Sequence, residues 1–135
     1  MKHTGYIVFA HGSSVESANE SVRAVAASFA RQGGYEAVEA AFLENGKPDL
    51  RGAVDLLAGC GIAHIVVIPY FLTLGLHLQR DLPRLIQEIH GVHPAIEIEV
   101  TPPLDGHPAL LEALLGRARQ AAVITNASPK ACEQS

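Results

Sequence analysis

Residues 62–72 read IAHIVVIPYFL, and the IVVI at their centre is the strongest strand signal in the chain. Four consecutive apolar, mostly β-branched residues suit a strand covered on both faces, as in a parallel sheet. Pro69 cannot donate to a ladder, so pairing is expected to end near it. Towards the N-terminus, residues 5–10 (GYIVFA) form a second short apolar run of the same kind. Each run leads into a segment carrying a histidine, His11 in HGSS and His77 in LTLGLHLQRDLP.

Working outward, helical and extended patterns alternate. Residues 17–31 carry Val22, Val25, Ala26 and Phe29 at helical spacing, and Gly33 and Gly34 stop that helix. Residues 35–43 (YEAVEAAFL) read as the next strand. Pro48 suits the first turn of a helix over 48–58, ended by Gly59 and Gly61. A helix over 80–90 places Leu82, Leu85, Ile86 and Ile89 on one side. Residues 95–100 alternate Ile96 and Ile98 with Glu97 and Glu99, which suggests an edge or half-exposed strand. A last helix covers 109–122, and 125–135 reads as a frayed tail. The pattern predicts one α/β domain over 1–124. Its four-stranded parallel sheet has the flavodoxin-like order 2-1-3-4, with helices on both faces. Ligands of such folds bind at the carboxyl ends of strands one and three. HGSS and the 73–79 loop should therefore rim one crevice, overhung by both His11 and His77.

Composition narrows the function. The chain has 135 residues, 48% of them hydrophobic, and a net charge of −4 with histidines neutral. It is expected to fold alone, to avoid nucleic acid for want of a basic patch, and to have no membrane partner. The opening MKHTGYIVFAHGSS reads as a first strand rather than a leader, so a cytoplasmic location is the expectation. Cys60 and Cys132 show no metal-ligand spacing and read as reduced thiols.

His11 alone reads as either a structural histidine or a ligand. The Gly12-Ser13-Ser14 turn faintly resembles a phosphate cradle but lacks the glycine spacing and lysine of known motifs. Two histidines on neighbouring strand ends favour a metal or proton-transfer site, because imidazole binds divalent transition metals and also accepts protons. Glu44, at the end of strand two, is either a solvated carboxylate or a base beside them. His3, His64, His90, His93 and His107 invite less, and an H-x-x-H zinc pair at 90 and 93 has no third ligand in view.

FAHGSS (9–14), AFLENGKPDL (41–50), VVIPYFLTLGLHLQRDLP (66–83) and PPLDGHPALLEAL (102–114) together resemble the CbiX-type sirohydrochlorin chelatases, class II chelatases, in their short single-domain form. The G-x-H-x-x-x-D-x-P element after P-x-F-L is the most specific part. The resemblance implies ATP-independent insertion of a divalent metal into sirohydrochlorin. Cobalt for cobalamin is the first expectation, with iron (siroheme) or nickel as alternatives; a non-enzymatic tetrapyrrole or metal carrier is the rival reading. No permanently bound cofactor is implied, since the metal is a substrate. His11 and His77 match the catalytic, metal-binding histidines, and Glu44 matches the family's carboxylate. Ser13, Ser14 and Arg80, with Arg84 and Lys47, are the candidates for holding substrate carboxylates. The resemblance also implies a homodimer whose two chains face a shared cleft.

Overall fold

A computed structural model describes residues 3–121. The expected 125–135 tail and Cys132 lie outside the described residues. By internal contacts the chain divides into two compact units, with the boundary between Asp105 and Gly106. The first unit contains β1 (Thr4–Ala10), α1 (Glu16–Gly33), β2 (Val38–Phe42), α2 (Leu50–Gly59), β3 (His64–Pro69), α3 (Leu76–Val92) and β4 (Glu97–Val100). The second contains α4 (Pro108–Arg119), which starts on Pro108 and is capped by His107, whose Nδ1 accepts from the Ala109 N–H at 3.0 Å.

The sheet is parallel throughout, in the order β2-β1-β3-β4. β1 is the central strand, and its alternation feeds two cores. Ile7 and Phe9 point to one face, where they join Ala41, Ile65 and Val67 of the sheet with Leu50, Val54 and Leu57 of α2 and Leu82 and Ile89 of α3. Val8 and Ala10 point to the other, against Ala40 and Phe42 of β2 and Ala26 of α1, with Val22 and Phe29 packed on them. This two-sided burial explains the unbroken apolar runs. β4 pairs only with β3 and exposes Glu97 and Glu99, as its alternation requires.

Two elements differ from their sequence patterns. The second strand starts at Val38 rather than Tyr35. The Tyr35 N–H is committed to Ala30 O (2.9 Å) at the end of α1, where Gly34 takes the left-handed conformation (φ 71°). The Tyr35 ring stacks on Tyr6 and Phe29 instead of joining the ladder, with centroids 4.2 and 5.0 Å away. The third helix starts at Leu76, not residue 80, so His77 stands in a helical first turn rather than in a loop. Leu78 extends the stripe of Leu82, Leu85, Ile86 and Ile89 by one turn, and packing of that stripe carries the helix through Pro83. Pro48 precedes α2; Asp49 is the N-cap, accepting from the Gly52 N–H at 2.8 Å.

His93 ties the end of α3 to α2 through Nε2 and Asp55 Oδ1, 2.7 Å apart. That hydrogen bond, with the nearby Arg51 charge, holds the Asp55 carboxyl below its ordinary range. A depressed carboxyl contributes stability in full above its unfolded pKa of about 3.9 and loses it as pH falls through the folded value. Asp55→Asn is therefore expected to flatten the acid limb of stability between about pH 5 and about pH 2, by less than about 1 kcal/mol for so exposed a pair. Urea unfolding across that range checks this, and an unchanged limb would contradict it. A second expectation concerns Gly12, which has φ +92° and whose missing Cβ would lie 1.7 Å from Glu44 O. Gly12→Ala should cost about 1–3 kcal/mol from backbone strain alone and push the two loops apart. Thermal unfolding and Glu44 amide shifts would report both effects.

Candidate active site

β1 and β2 end side by side, with Ala10 opposite Phe42. The ladder runs past both ends: the Leu43 N–H donates to Ala10 O (2.9 Å) and the Glu44 N–H to His11 O (3.0 Å). His11 and Glu44 are therefore neighbours by backbone pairing. Their side chains meet with Nε2 and Oε2 3.7 Å apart, each more than half open to solvent (60% and 57%). The His11 Nδ1 lies 3.3 Å from Gly12 O. A carbonyl only accepts, so Nδ1 is the donor in this contact, and Nε2 is the ring nitrogen that faces Glu44. On the other side, the Tyr70 N–H donates to Phe9 O (2.7 Å), which brings the Phe71 ring edge-on to His11 with centroids 6.2 Å apart.

The Gly12–Val15 turn is held from below by Asn19, which is 1% exposed. Its Oδ1 accepts from the Ser13 N–H (2.9 Å), and its Nδ2 donates to Ser13 O (2.9 Å) and Asn45 O (2.8 Å). The Ser13 N–H is thus occupied, and the Ser13 Oγ accepts from the Val15 N–H at 3.0 Å. Ser14 is the exposed serine of the pair. Asn45 itself has φ 58°, a left-handed conformation that asparagine tolerates.

His77, in the first turn of α3, accepts at Nδ1 from the Arg80 guanidinium (3.1 Å). No hydrogen bond or ion pair joins His77 to His11 or Glu44 among the described residues, nor do three or more His, Cys, Asp and Glu side chains converge there as a ready metal cage. Arg80, Arg84 and Lys47 are all exposed, with Arg80 also 3.4 Å from Asp81. The loops after β1, β2 and β3 expose Val15, Leu43, Tyr70 and Leu72, and Leu76 at the start of α3 is exposed as well. Of the other histidines, His64 bonds Glu99 and Thr4, and His93 bonds Asp55; among the described residues no group of three or more His, Cys, Asp or Glu forms around the His90–His93 pair.

Asn19 escaped the sequence reading. Its signal was a polar amide one turn before Val22 and two before Ala26, on the very face that α1 buries.

Comparisons with known proteins agree with this architecture. A family model, CbiX, matches residues 5–121. Two relatives named sirohydrochlorin cobaltochelatase, from Methanosarcina barkeri and Methanopyrus kandleri, are each 34% identical, over 82 and 80 residues. The matches cover 61% and 59% of this chain and span 63% and 56% of those proteins. Among solved structures, a cobalamin (vitamin B12) biosynthesis CbiX protein from Marinobacter aquaeolei VT8 superposes with a TM-score of 0.76 at 27% identity, covering 87% of this chain and 95% of that one. The sirohydrochlorin chelatase SirB from Bacillus subtilis subspecies spizizenii, solved with cobalt, shares the fold with a TM-score of 0.81 at 24% identity; 89% of this chain corresponds to 51% of that one. With the family match running through every strand and helix of the sheet and to the end of α4, the chain belongs to the CbiX family.

Proposed function

We propose that this protein is an ATP-independent chelatase that inserts a divalent metal, cobalt first, into sirohydrochlorin. The observation that carries the reading is the 3.7 Å approach of His11 Nε2 and Glu44 Oε2 at an open strand end. That separation is shorter than the roughly 4.2 Å that two metal–ligand bonds of about 2.1 Å can bridge. His11 and Glu44, even with His77 as a further ligand, leave much of the metal's coordination sphere for water and then for the macrocycle nitrogens. The relatives named sirohydrochlorin cobaltochelatase support the choice of substrate and metal.

The chemistry balances at this pair. As M²⁺ enters the macrocycle, two pyrrolic N–H protons must leave. Each donor becomes a base when the metal departs, so Glu44 takes one proton and the His11 imidazole the other. His77 serves as the second histidine ligand, and Arg80 regulates it. A guanidinium donating to Nδ1 blocks that nitrogen until a substrate carboxylate draws Arg80 away. The uncapped N-terminus of α3 adds partial positive charge for the same carboxylates. Ser14, Arg84 and Lys47 complete the rim that receives them. Two copies pair with these ends facing, so that the exposed Val15, Leu43, Leu72 and Leu76 enclose a flat macrocycle. The correspondence of this chain to half of SirB supports that arrangement.

Turnover of purified protein with sirohydrochlorin and Co²⁺, followed by absorbance, tests the reading. Fe²⁺ and Ni²⁺ run in parallel rank the metals. His11→Ala, His77→Ala and Glu44→Gln should each lower kcat by about 100-fold while circular dichroism stays native. A folded variant with unchanged turnover removes that residue from the mechanism, and binding without insertion makes the protein a carrier. Sedimentation should give twice the chain mass under assay conditions; an active monomer would refute the shared cleft.

A further inference from the structure

We infer that Asn19, a buried residue of α1, is a positioning residue that sets the separation of His11 and Glu44. Among the described residues it is the one polar side chain buried in the core. Burying an amide without partners is costly, so its hydrogen bonds must be met. They are met in a particular way. Oδ1 and Nδ2 grip the N–H and the C=O of the same residue, Ser13, at 2.9 Å each, which fixes the backbone on both sides of that residue. The remaining Nδ2 hydrogen goes to Asn45 O at 2.8 Å, on the other loop, while Glu16 Oε1 stands further off at 3.2 Å.

Ser13 lies two residues after His11, and Asn45 directly follows Glu44. The chain therefore closes a ring. It runs from His11 through Gly12 to Ser13, across the Asn19 amide to Asn45, back to Glu44, and returns through the Glu44 N–H donated to His11 O. Gly12 makes the ring tight, because its backbone passes Glu44 O where no Cβ could fit. Arg23 reinforces it from outside, donating to Lys47 O at 3.3 Å and to Glu16 at 2.8 Å. Burial alone would be served by an apolar side chain, since Val22 and Ala26 continue the same helix face. What the amide adds is a defined spacing between two loops whose side chains are otherwise free in solvent.

This inference rests on the chelatase reading for its activity arm, but its metal-binding arm is independent of turnover. In untagged Asn19→Ala, native by circular dichroism, kcat for cobalt insertion should fall about 10-fold or more, with the sirohydrochlorin KM within about 2-fold. Titration with Co²⁺ alone should show affinity weakened about 10-fold. Adding Asn19→Ala to Glu44→Gln should change kcat by less than about 2-fold, because the first residue acts through the second. Unchanged Co²⁺ affinity, or full additivity of the two substitutions, overturns the assignment. If the native chain binds Co²⁺ without inserting it, the chelatase reading fails while the affinity ratio still decides the role of Asn19. Should Asn19→Ala not fold, Asn19→Asp keeps the acceptor for the Ser13 N–H and loses both donors. Its Co²⁺ affinity relative to the native chain should rise as pH is lowered and protonation restores one donor; a ratio independent of pH overturns the proposal.

Discussion

The register of β1 between β2 and β3 is the constraint on which everything else depends. Ala10 faces Phe42 and Phe9 faces Pro69, so three strands end at one height and release their loops together. A slip of one residue would turn Ile7 and Phe9 towards α1 and expose Val8 and Ala10 to the wrong core. Hydrophobic burial on both faces therefore holds a register that polar chemistry uses. His11 sits beside Glu44 because apolar residues below them cannot pair in any other way.

Charge sets a second requirement. The chain carries a net charge of −4, which attracts a divalent cation and repels a polycarboxylate. Under the proposed chemistry the same surface must accept both. The structure divides the task by position. The carboxylate of Glu44 stands at the end of β2, while Arg80 and the N-terminus of α3 lie beyond β3. A substrate lying across the strand ends would meet cationic and anionic groups in separate places, so neither cancels the other.

Much of this was legible from residues alone. IVVI and GYIVFA were too uniformly apolar for anything but two-sided strands, and their order gave the sheet. Glycines and prolines marked most element ends. α3 begins at Leu76 rather than residue 80 because Leu78, partly buried against the same core, carries the apolar stripe one turn beyond Leu82. Tyr35 falls outside the strand that its sequence run suggests, because its N–H is taken by Ala30 O at the end of α1. Asn19 was invisible for a different reason. Its importance lies in backbone atoms of two loops, and a sequence lists side chains. The His11–Glu44 approach was foreseeable as a neighbourhood but not as a distance, since that depends on how closely Gly12 lets the loops meet.

The openness of the histidine–glutamate pair has a kinetic meaning. Under the proposed chemistry, an ion held at His11 and Glu44, both wetted by bulk water, would exchange its remaining ligands freely and have a short lifetime on the protein. For a storage site that would be a defect. For a protein that must surrender its cargo to another molecule, slow departure would itself limit the rate, and a shallow grip removes that limit.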